Sequence, residues 1–382
     1  RESYNARRKP SVRWQRLADH KSPLLGVGCQ KAFRLQARVV YLASIEKTLY
    51  NKKKLQTRQI KKISSMKRIF ITGIAGFIGF HLARALKKRG DHVIGCDHFN
   101  TYYNPLLKKK RAELLQMEGI EVLPCDIADS TLLEEVLRRE AISDFVHLAA
   151  QAGVRYAVTH PESYVHSNLY GFTRILELVR RFEGISLIYA SSSSVYGLNA
   201  KVPFSESDTT DRPANFYGAT KKANEMMAHA YHHLYHIPCT GLRFFTVYGP
   251  WGRPDMAYYS FAKAIEEARP ITVYGDGAMR RDFTYIDDII KGAVAAIDLR
   301  SGCEIFNLGN HKPKSVLELI AILEKILGKK AEIRFEAASR GEVDTTFADI
   351  RKSEQLLKFQ PTTTLEEGLA RFVDWFQVHS KF

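Results

Sequence analysis

A glycine-rich turn between an apolar run and a helical pattern constrains this chain more than any other stretch. It lies in Met66–Leu82, MKRIFITGIAGFIGFHL, where the apolar run Ile69–Thr72 leads into Gly73, Gly76 and Gly79. The spacing predicts a strand, a tight turn and a helix start, because glycine lets the backbone turn sharply. Such a turn can approach a pyrophosphate, and the helix N-terminus offers free N–H groups to the anion. Alone, the motif would also fit an ordinary strand-to-helix turn.

An acidic residue at the end of the next apolar run strengthens the case for a dinucleotide. The run His92–Cys96 predicts a second strand, and Asp97 follows it, about 20 residues beyond the turn. A carboxylate there would accept hydrogen bonds from both ribose hydroxyls of NAD. Together, the turn and the acidic residue predict a dinucleotide site.

The net charge of the chain is concentrated in its first 65 residues. The whole sequence has 57 Lys and Arg, 41 Asp and Glu, and a formal net charge of +16. Residues 1–65 hold 17 of the basic and 3 of the acidic residues, so the rest of the chain, with 40 and 38, is nearly neutral. The body therefore lacks the basic surplus that is typical of nucleic-acid-binding proteins.

Three interpretations fit residues 1–65: a basic arm for nucleic acid or a membrane surface, an Arg-rich targeting sequence, or upstream sequence without a fold of its own. We favour the third, with disorder, because the segment shows no clean apolar period. Its longest apolar run, residues 38–45, is too short to span a bilayer. The sequence thus predicts no nucleic-acid partner and no membrane.

The cysteines predict a reduced, cytoplasmic protein. There are five, at Cys29, Cys96, Cys125, Cys239 and Cys303, and no two form a C-x-x-C pair. An odd number of widely spaced thiols is typical of a reducing compartment. Cys96, Cys125 and Cys239 lie in apolar runs, so we interpret them as small buried side chains rather than metal ligands.

Apolar runs alternate with helical patterns from Met66 onward. Further candidate strands lie at 122–123, 145–148, 187–190 and 239–245, and candidate helices at 132–139, 168–182 and 221–235. Repeated β-α units predict an α/β fold, a Rossmann-like doubly wound parallel sheet with helices on both faces. Ligands bind at the carboxyl ends of such strands. The polar residues that follow the runs would line that crevice: Asp97, Asp126, Gln151, Ser191 to Ser194 and Thr246.

The pattern changes after Pro250. Longer loops rich in Trp, Arg, Pro and Tyr separate short strands near 271–274 and 304–306 from helices near 316–327 and 365–378. We expect a cofactor domain over residues 66–248. A smaller, discontinuous C-terminal substrate domain would occupy mainly residues 249–382, with later segments returning to the first domain.

Tyr217 and Lys221 form the sharpest catalytic pattern. Four residues apart in YGATK, they share one face of a helix, and the serine run lies upstream at Ser191–Ser194. A phenol with a pKa of about 10 is a poor base at neutral pH, but a Lys ammonium and the positive nicotinamide ring favour phenolate and could lower that pKa by a few units. The phenolate could then remove a proton from a sugar hydroxyl that a serine orients.

Residues 66–382 resemble the extended short-chain dehydrogenase/reductases. The matching motifs are TGIAGFIG (72–79), CDIAD (125–129), HLAAQAGVR (147–155), YASSSSVYG (189–197), YGATK (217–221), RFFTVYGPWGRPDMA (243–257) and RRDFTYIDDI (280–289). The resemblance implies a tightly held NAD that is regenerated in each cycle on a nucleotide sugar. It implies that Tyr217, Lys221 and Ser192 are catalytic. The implied cofactor contacts are Gly73, Gly76, Phe77, Ile78, Gly79, Asp97, Asn100, Asp126, Ile127, Leu148, Ala149, Ala150, Tyr217 and Lys221.

The serine run bears on the reaction. In the family's 4,6-dehydratases an Asp-Glu pair occupies the positions of Ser193 and Ser194, and UDP-glucuronate decarboxylases carry Glu where Ser194 stands. Without these carboxylates the site could oxidise and re-reduce C4 but could not drive elimination or assist decarboxylation, which favours a 4-epimerase. RFFTVYGPWGRPDMAYY resembles the UDP-glucuronate 4-epimerases, since UDP-galactose epimerases carry Asn at the Thr246 position. Thr246 and Arg253 would receive the uronate, or Arg253 could form only local salt bridges.

Further substrate contacts rest on the resemblance. Arg281 matches the family's arginine on the sugar diphosphate, and Tyr274 lies where relatives place an aromatic residue against uracil. The uridine loop departs from the usual Q-P-G-D-V-P, because residues 339–344 read SRGEVD, in which Glu342 keeps a carboxylate. The role of Arg155 stays open, since it could lie on the substrate side or only cap the loop after the fourth strand, and Arg340 could supply a charge to the phosphate. The implied substrate contacts are Ser192, Ser193, Ser194, Tyr217, Thr246, Arg253, Tyr274, Arg281 and Glu342.

The resemblance also implies a homodimer through the helix that contains Tyr217–Lys221 and its neighbour. Met226, Met227 and Tyr231 would suit that face, or they could be core. We expect the loop Gly249–Asp255 to be mobile. The alternatives left open are a UDP-glucose/galactose-type 4-epimerase, a UDP-glucuronate decarboxylase and, from other classes, a non-catalytic NAD-binding protein or a basic-tailed nucleic-acid binder.

Overall fold

The computed structural model describes residues 66–129, 131–300, 302–337 and 343–379. The chain from Met66 onward groups as one compact unit. The predicted leader, residues 1–65, lies outside the described residues, and so do Arg340 and Glu342. The expectations for them therefore stay predictions.

The strands follow the predicted apolar runs closely. In chain order they are β1 (Arg68–Thr72), β2 (His92–Asp97), β3 (Glu121–Pro124), β4 (Asp144–His147), β5 (Ser186–Ser192), β6 (Cys239–Phe244), β7 (Thr246–Tyr248), β8 (Ile271–Tyr274), β9 (Arg280–Arg281), β10 (Phe283–Tyr285), β11 (Cys303–Leu308), β12 (Lys314–Ser315), β13 (Ile333–Glu336) and β14 (Thr345–Thr346).

Helices fill most of the intervals. They are α1 (Phe77–Arg89), α2 (Pro105–Met117), α3 (Thr131–Glu140), α4 (Tyr156–Thr159), α5 (Pro161–Tyr164), α6 (Gly171–Arg180), α7 (Phe216–Tyr235), α8 (Ala257–Glu266), α9 (Ile286–Leu299), α10 (Val316–Leu327), α11 (Arg351–Leu357) and α12 (Leu365–His379). A π-helix (Val165–Tyr170) precedes α6, and a 3₁₀-helix (Ser193–Tyr196) follows β5.

Seven parallel strands form the main sheet in the order β3-β2-β1-β4-β5-β6-β11. This arrangement confirms the predicted doubly wound α/β fold. The strand order reverses between β1 and β4, so the loops that follow these two strands diverge and leave a crevice at their carboxyl ends. The glycine turn follows β1 at that point.

Alternate residues of the strands face two different cores. Along β1, Ile69 and Ile71 belong to a core that also holds Leu82 of α1, whereas Phe70 belongs to a second core with Phe172 of α6. A strand covered on both faces must be apolar at successive positions, which explains why its sequence reads as a continuous run.

The chain after Pro250 contributes both to the main sheet and outside it. β11 returns to the main sheet, where Cys303 pairs with Cys239 of β6. The other strands form three small sheets, β7 with β10, β8 with β13, and β9 between β12 and β14. These sheets provide residues that line the same cavity as the serine run.

The described residues contain neither a candidate membrane span nor a candidate metal site. No helix among them is long and apolar enough to cross a membrane. No group of His, Cys, Asp and Glu in this part of the chain has the arrangement of a metal site. The four described cysteines, Cys96, Cys125, Cys239 and Cys303, are free thiols.

Candidate active site

A cavity opens where β1, β2, β4 and β5 end. It is lined by every residue that the sequence predicts as a cofactor contact: Gly73, Gly76, Phe77, Ile78, Gly79, Asp97, Asn100, Asp126, Ile127, Leu148, Ala149, Ala150, Tyr217 and Lys221. We term it the cofactor cavity. Residues that sequence reasoning did not assign to the cofactor, among them Tyr102, Lys108 and Gln151, also line it.

The glycine turn leaves no room for side chains beside this cavity. A Cβ on Gly73, whose φ is +70°, would lie 2.8 Å from the Ala149 nitrogen, and one on Gly79 would lie 2.2 Å from the Gly73 carbonyl oxygen. No side chain caps the N-terminus of α1, and its first turn contains no acidic residue. The turn therefore fits the pyrophosphate of a dinucleotide, since its backbone is bare and the helix end is positive.

Polar groups at the end of β2 are suited to bind a ribose of a dinucleotide. Asp97 is buried, and its carboxylate accepts a hydrogen bond of 2.9 Å from the Phe99 N–H. Lys108 of α2 donates to the Asn100 side-chain oxygen over 2.6 Å. Burial lowers the pKa of Lys108, and the negative charge of Asp97 opposes that effect. The Lys108 position gave no signal in the sequence, because it lies within a surface-like run of lysines.

Asp126 is held as a carboxylate at the end of β3. One carboxylate oxygen of Asp126 accepts a hydrogen bond of 2.9 Å from the Ala128 N–H. The other oxygen lies 3.0 Å from the Nε2 atom of His166. Burial opposes ionisation, but these two hydrogen bonds and the nearby His98 keep the pKa of Asp126 below its usual range. The resemblance implied that Asp126 and Ile127 flank adenine, and both line the cofactor cavity.

The serine run ends β5 and meets α7. The Ser192 hydroxyl accepts a hydrogen bond of 3.2 Å from the Ser194 N–H, which starts the 3₁₀-helix. A Cβ on Gly218 of α7 would lie only 2.5 Å from the Ser194 carbonyl oxygen. The glycine of YGATK therefore allows the helix that carries Tyr217 to approach the serines.

Lys221 is buried with one hydrogen-bond acceptor. Its ammonium donates to the Ala190 carbonyl oxygen over 3.0 Å. Burial lowers its pKa to about 8. Burial also lowers the pKa of His147, and the charge of Lys221 adds to that effect. The Asn215 side chain caps α7 through the Gly218 N–H at 2.8 Å, which fixes the helix start next to the cavity.

The environment of Tyr217 differs from the sequence-based expectation. Burial raises the pKa of the Tyr217 phenol, and the opposing influences are a hydrogen bond with Ser192 and the charge of Arg253. The expected lowering by the Lys221 ammonium is not among them. Two residues four apart on a helix share a face, but Lys221 is directed to the β5 backbone instead.

A second cavity adjoins the first, and we term it the substrate cavity. It is lined by every described residue of the predicted substrate set: Ser192, Ser193, Ser194, Tyr217, Thr246, Arg253, Tyr274 and Arg281. Ser192, Tyr217 and Arg253 line both cavities. A sugar held between them would therefore lie against both the phenol and the cofactor side.

The far end of the substrate cavity carries two arginines and an aromatic ring. The Arg155 guanidinium carbon lies 4.0 Å from the centroid of the Tyr274 ring, so this previously unassigned residue stacks on the predicted uracil neighbour. Arg281 lines the cavity and donates to the Asp344 carbonyl oxygen over 3.2 Å. Arg280 is exposed and donates instead to the Pro313 carbonyl oxygen over 2.9 Å.

Arg253 lies where the two cavities meet. Its Nε is 3.0 Å from an Asp255 carboxylate oxygen, and the Tyr102 hydroxyl donates to the other oxygen over 3.0 Å. The loop Gly249–Asp255, which the sequence predicts to be mobile, is hydrogen-bonded to three helices in this structure. The carbonyl groups of its first four residues all accept hydrogen bonds from side chains of α1, α2 and α8.

The sequence profile of the NAD dependent epimerase/dehydratase family matches residues 69–309. The chain belongs to this family. The match confirms the resemblance that the motifs indicated and accords with a cavity shaped for a dinucleotide.

Several of the proteins that resemble this chain are named as 4-epimerases of UDP-sugars. UDP-glucuronate 4-epimerase 4 of Arabidopsis thaliana is 49% identical over 326 residues, which cover 81% of this chain and 75% of the plant protein. The structure of UDP-glucuronic acid 4-epimerase from Bacillus cereus, in complex with UDP-glucuronic acid and NAD, superposes with a TM-score of 0.77 at 38% identity, covering 81% and 99% of the two chains. UDP-glucose 4-epimerase from Thermotoga maritima gives 0.75 at 28% identity over 82% and 100%.

This epimerase-family site rests on a buried ion pair that sequence reasoning missed. Arg243 of β6 binds both carboxylate oxygens of Glu225, each over 2.8 Å, and the Ser191 hydroxyl donates to the same carboxylate over 2.6 Å. All three side chains are buried. A signal was present, because Glu225 continues the four-residue spacing of Tyr217 and Lys221 along one face of α7.

Proposed function

We propose that the protein is an NAD-dependent UDP-glucuronate 4-epimerase, which interconverts UDP-glucuronate and UDP-galacturonate through a 4-keto sugar. The observation that carries the proposal is the composition of the substrate cavity. Its described lining has three arginines, at positions 155, 253 and 281, and one carboxylate, Asp255, which is already paired with Arg253. A surplus of positive charge suits a substrate with a diphosphate and a uronate. The relatives named UDP-glucuronate 4-epimerase support the same substrate.

Tyr217 and Ser192 would perform the proton transfers at C4. Both residues line the two cavities at their junction, and the influence of Ser192 opposes the rise in the pKa of Tyr217 that burial causes. As a phenolate, Tyr217 would take the O4 proton while Ser192 orients that oxygen. NAD, when bound, supplies the hydride acceptor and then the donor at C4. Lys221 would bind the nicotinamide ribose from its buried position on α7.

Serine hydroxyls beside C5, in place of carboxylates, would help to keep the carboxylate of the 4-keto intermediate in place. A 4-keto uronate is a β-keto acid and loses carbon dioxide easily, so the enzyme must bind the carboxylate without assisting its departure. Ser193, Ser194 and Thr246 present hydroxyl groups in the substrate cavity at the positions proposed to face the uronate. For inversion at C4, Tyr274 and Arg281 would hold the nucleotide while the 4-keto sugar turns about its diphosphate linkage. The other face of C4 would then lie towards the cofactor.

A direct test is to mix the purified protein with UDP-glucuronate, without added cofactor, and follow the products by proton NMR. Formation of UDP-galacturonate without loss of carbon dioxide is the expected result, and it would also indicate that NAD is retained through purification. UDP-xylose or its 4-keto precursor would instead identify a decarboxylase. Turnover of UDP-glucose alone would identify the UDP-glucose/galactose type, and no turnover of either sugar would favour a non-catalytic NAD-binding protein.

We further propose a cytoplasmic homodimer. Met226 of α7 is 63% exposed and Tyr170 of the neighbouring π-helix is 52% exposed, although both are large and apolar. Met227 and Tyr231, by contrast, pack against the core. An apolar face on two adjacent helices suits a second copy of the chain. The free thiols suit a reducing compartment.

A further inference from the structure

Arg111 of α2 is a buried cation that the proposed mechanism does not use. Its exposed fraction is 0%, and within the described residues no carboxylate forms an ion pair with it. Its Nε has no hydrogen-bond partner. Burying a guanidinium without a counter-ion is costly, so the hydrogen bonds that it makes must hold something specific in place.

Those hydrogen bonds join the glycine turn to the loop that precedes Arg253. One terminal nitrogen donates to the Ala75 carbonyl oxygen of the glycine turn over 3.0 Å and to the Tyr103 hydroxyl over 2.9 Å. The other donates to the carbonyl oxygens of Trp251 and Gly252 over 2.6 and 3.0 Å. Arg111 thus bridges the turn beside the cofactor and the backbone immediately before Arg253.

Neighbouring side chains fix the rest of the same backbone. His81 of α1 donates to the Pro250 carbonyl oxygen over 2.9 Å, and the Tyr258 hydroxyl donates to that of Gly249 over 3.3 Å. Burial lowers the pKa of His81 to about 4, so the ring is neutral and can serve as a donor at physiological pH. We term residues 249–252, with these donors, the bracket.

Arg253 emerges directly from the bracket. Its guanidinium carbon lies 5.6 Å from the Tyr102 ring centroid and it is paired with Asp255. The ionisable groups around Tyr217 are Arg253 from this loop, Tyr164 from α5, whose ring centroid is 6.1 Å away, and Lys221 one turn along α7. Arg253 and Tyr217 both line the two cavities where these meet, so the position of the guanidinium bears on the phenol. In agreement with this placement, the charge of Arg253 lowers the pKa of Tyr217, against the larger effect of burial.

We propose that Arg111 is a positioning residue: assisted by His81, it holds the bracket against the glycine turn and so keeps the Arg253 charge beside Tyr217. This role rests on the proposed function, in which Tyr217 is the base. A guanidinium suits it because one rigid fork reaches both pairs of acceptors at once. A lysine in its place would keep the charge but could not span the two sites.

The first test is R111K in the holoenzyme. At neutral pH kcat/KM should fall about tenfold, and the acid limb of its pH profile should move up by about one unit, because an opposite charge near an acid lowers its pKa by one to three units. NAD content should stay at the wild-type level. The matched control is R84K on α1, where Arg84 pairs with Glu118 on the surface, and it should leave both readouts unchanged.

Variants of Arg253 and His81 would decide the role. R253Q should show the same upward shift, and R111K/R253Q should add no further shift if Arg111 acts through Arg253. An activity loss in R111K without a shift, or a shift that adds to that of R253Q, would overturn the proposal. If R111K does not fold, H81A must show a smaller shift in the same direction, and a wild-type pH profile in folded H81A would contradict the role.

A substrate-independent readout separates this proposal from the proposed function. The ultraviolet absorbance of tyrosinate, as the difference between a protein and its Y217F counterpart, reports the ionisation of Tyr217 in the holoenzyme without turnover. If the wild type does not convert UDP-glucuronate, the proposed function fails. The positioning role would still stand or fall on whether R111K raises the pH at which Tyr217 ionises.

Discussion

Tyr217 is the residue on which the proposed chemistry depends most directly. Y217F removes the phenolic oxygen and keeps the ring that packs near Tyr164. We expect kcat to fall by about 10² to 10⁴, the usual contribution of a general acid-base group. NAD content, measured by absorbance, and UDP affinity, measured by calorimetry, should stay at the wild-type level. The phenylalanine ring would occupy the same place in the cavity wall as the tyrosine ring. Turnover within tenfold of the wild type would exclude Tyr217 as the base.

Lys221 should lower the stability of the NAD-free protein at neutral pH. Its pKa is lowered to about 8 by burial, below the value of about 10.4 in an unfolded chain, so its charged form disfavours folding. K221M should therefore raise the free energy of unfolding at pH 7 by on the order of 2 kcal/mol while abolishing activity.

The pH dependence of that difference provides the check. Between the two pKa values the unfolded chain binds more protons at Lys221, so the wild type gains stability as pH rises from about 8 to about 10.4. K221M lacks this gain, and the difference between the proteins should shrink across that window. Denaturant melts of both NAD-free proteins measure it. If the difference in the free energy of unfolding stays constant across this window, burial does not lower the pKa of Lys221.

The residues that the sequence predicted are those whose chemistry is local. The glycine turn, Asp97 and the Tyr217–Lys221 pair are separated by fixed numbers of residues within or after one element, so spacing reveals them. Arg111 was missed because its acceptors lie far away in sequence, as with Trp251, 140 residues away. Arg243 lies only 18 residues from Glu225, but the two belong to different elements, so the spacing along α7 could indicate Glu225 and not its partner. Nor did the sequence indicate that burial raises the pKa of Tyr217 in the cofactor-free protein, because burial depends on the whole fold.

At the scale of elements, the contact between α7 and the serine run is the most sensitive. In most helices Gly→Ala stabilises by up to about 1 kcal/mol, but a methyl group on Gly218 would meet the Ser194 carbonyl oxygen at 2.5 Å. We expect G218A to push α7 away, lower kcat/KM by about 10- to 100-fold and destabilise the fold. Enzyme assays and thermal melts would show both.

An exposed position of the same helix supplies the control. Ala230 of α7 is exposed, so A230S should leave activity and stability close to the wild type. If G218A instead gains stability and keeps its activity, helix propensity outweighs the close approach, and α7 does not depend on glycine to reach the serines.

The boundaries of the helices and strands show what the spacing of apolar residues can and cannot predict. The predicted helix 168–182 is a π-helix to Tyr170 followed by α6, and the predicted strand 304–306 extends to Cys303–Leu308. Apolar spacing marks where an element is buried. It does not encode hydrogen-bond type or sheet partner, so the return of β11 to β6 depended on tertiary pairing.

At the scale of the whole molecule, the two cavities form one working unit. They share Ser192, Tyr217 and Arg253, and Arg111 joins the backbone on both sides. A rigid junction suits a reaction in which the sugar must turn while the phenol and the cofactor face stay fixed. The motion would then belong to the substrate rather than to the loop that precedes Arg253.

Association of two copies is the property that belongs to the whole molecule, and M226D tests it. An aspartate on the apolar face of α7 would have to be desolvated in a homodimer, which costs several kcal/mol for an unpaired charge. We expect M226D to shift the protein to monomers in light scattering, with NAD content unchanged. M117D is the matched control, because Met117 at the end of α2 is 83% exposed and away from that face. If both variants keep the wild-type mass, the exposed apolar residues of α7 do not form the subunit interface. If both variants become monomers, the added charge causes dissociation wherever it is placed, and the result does not identify the α7 face.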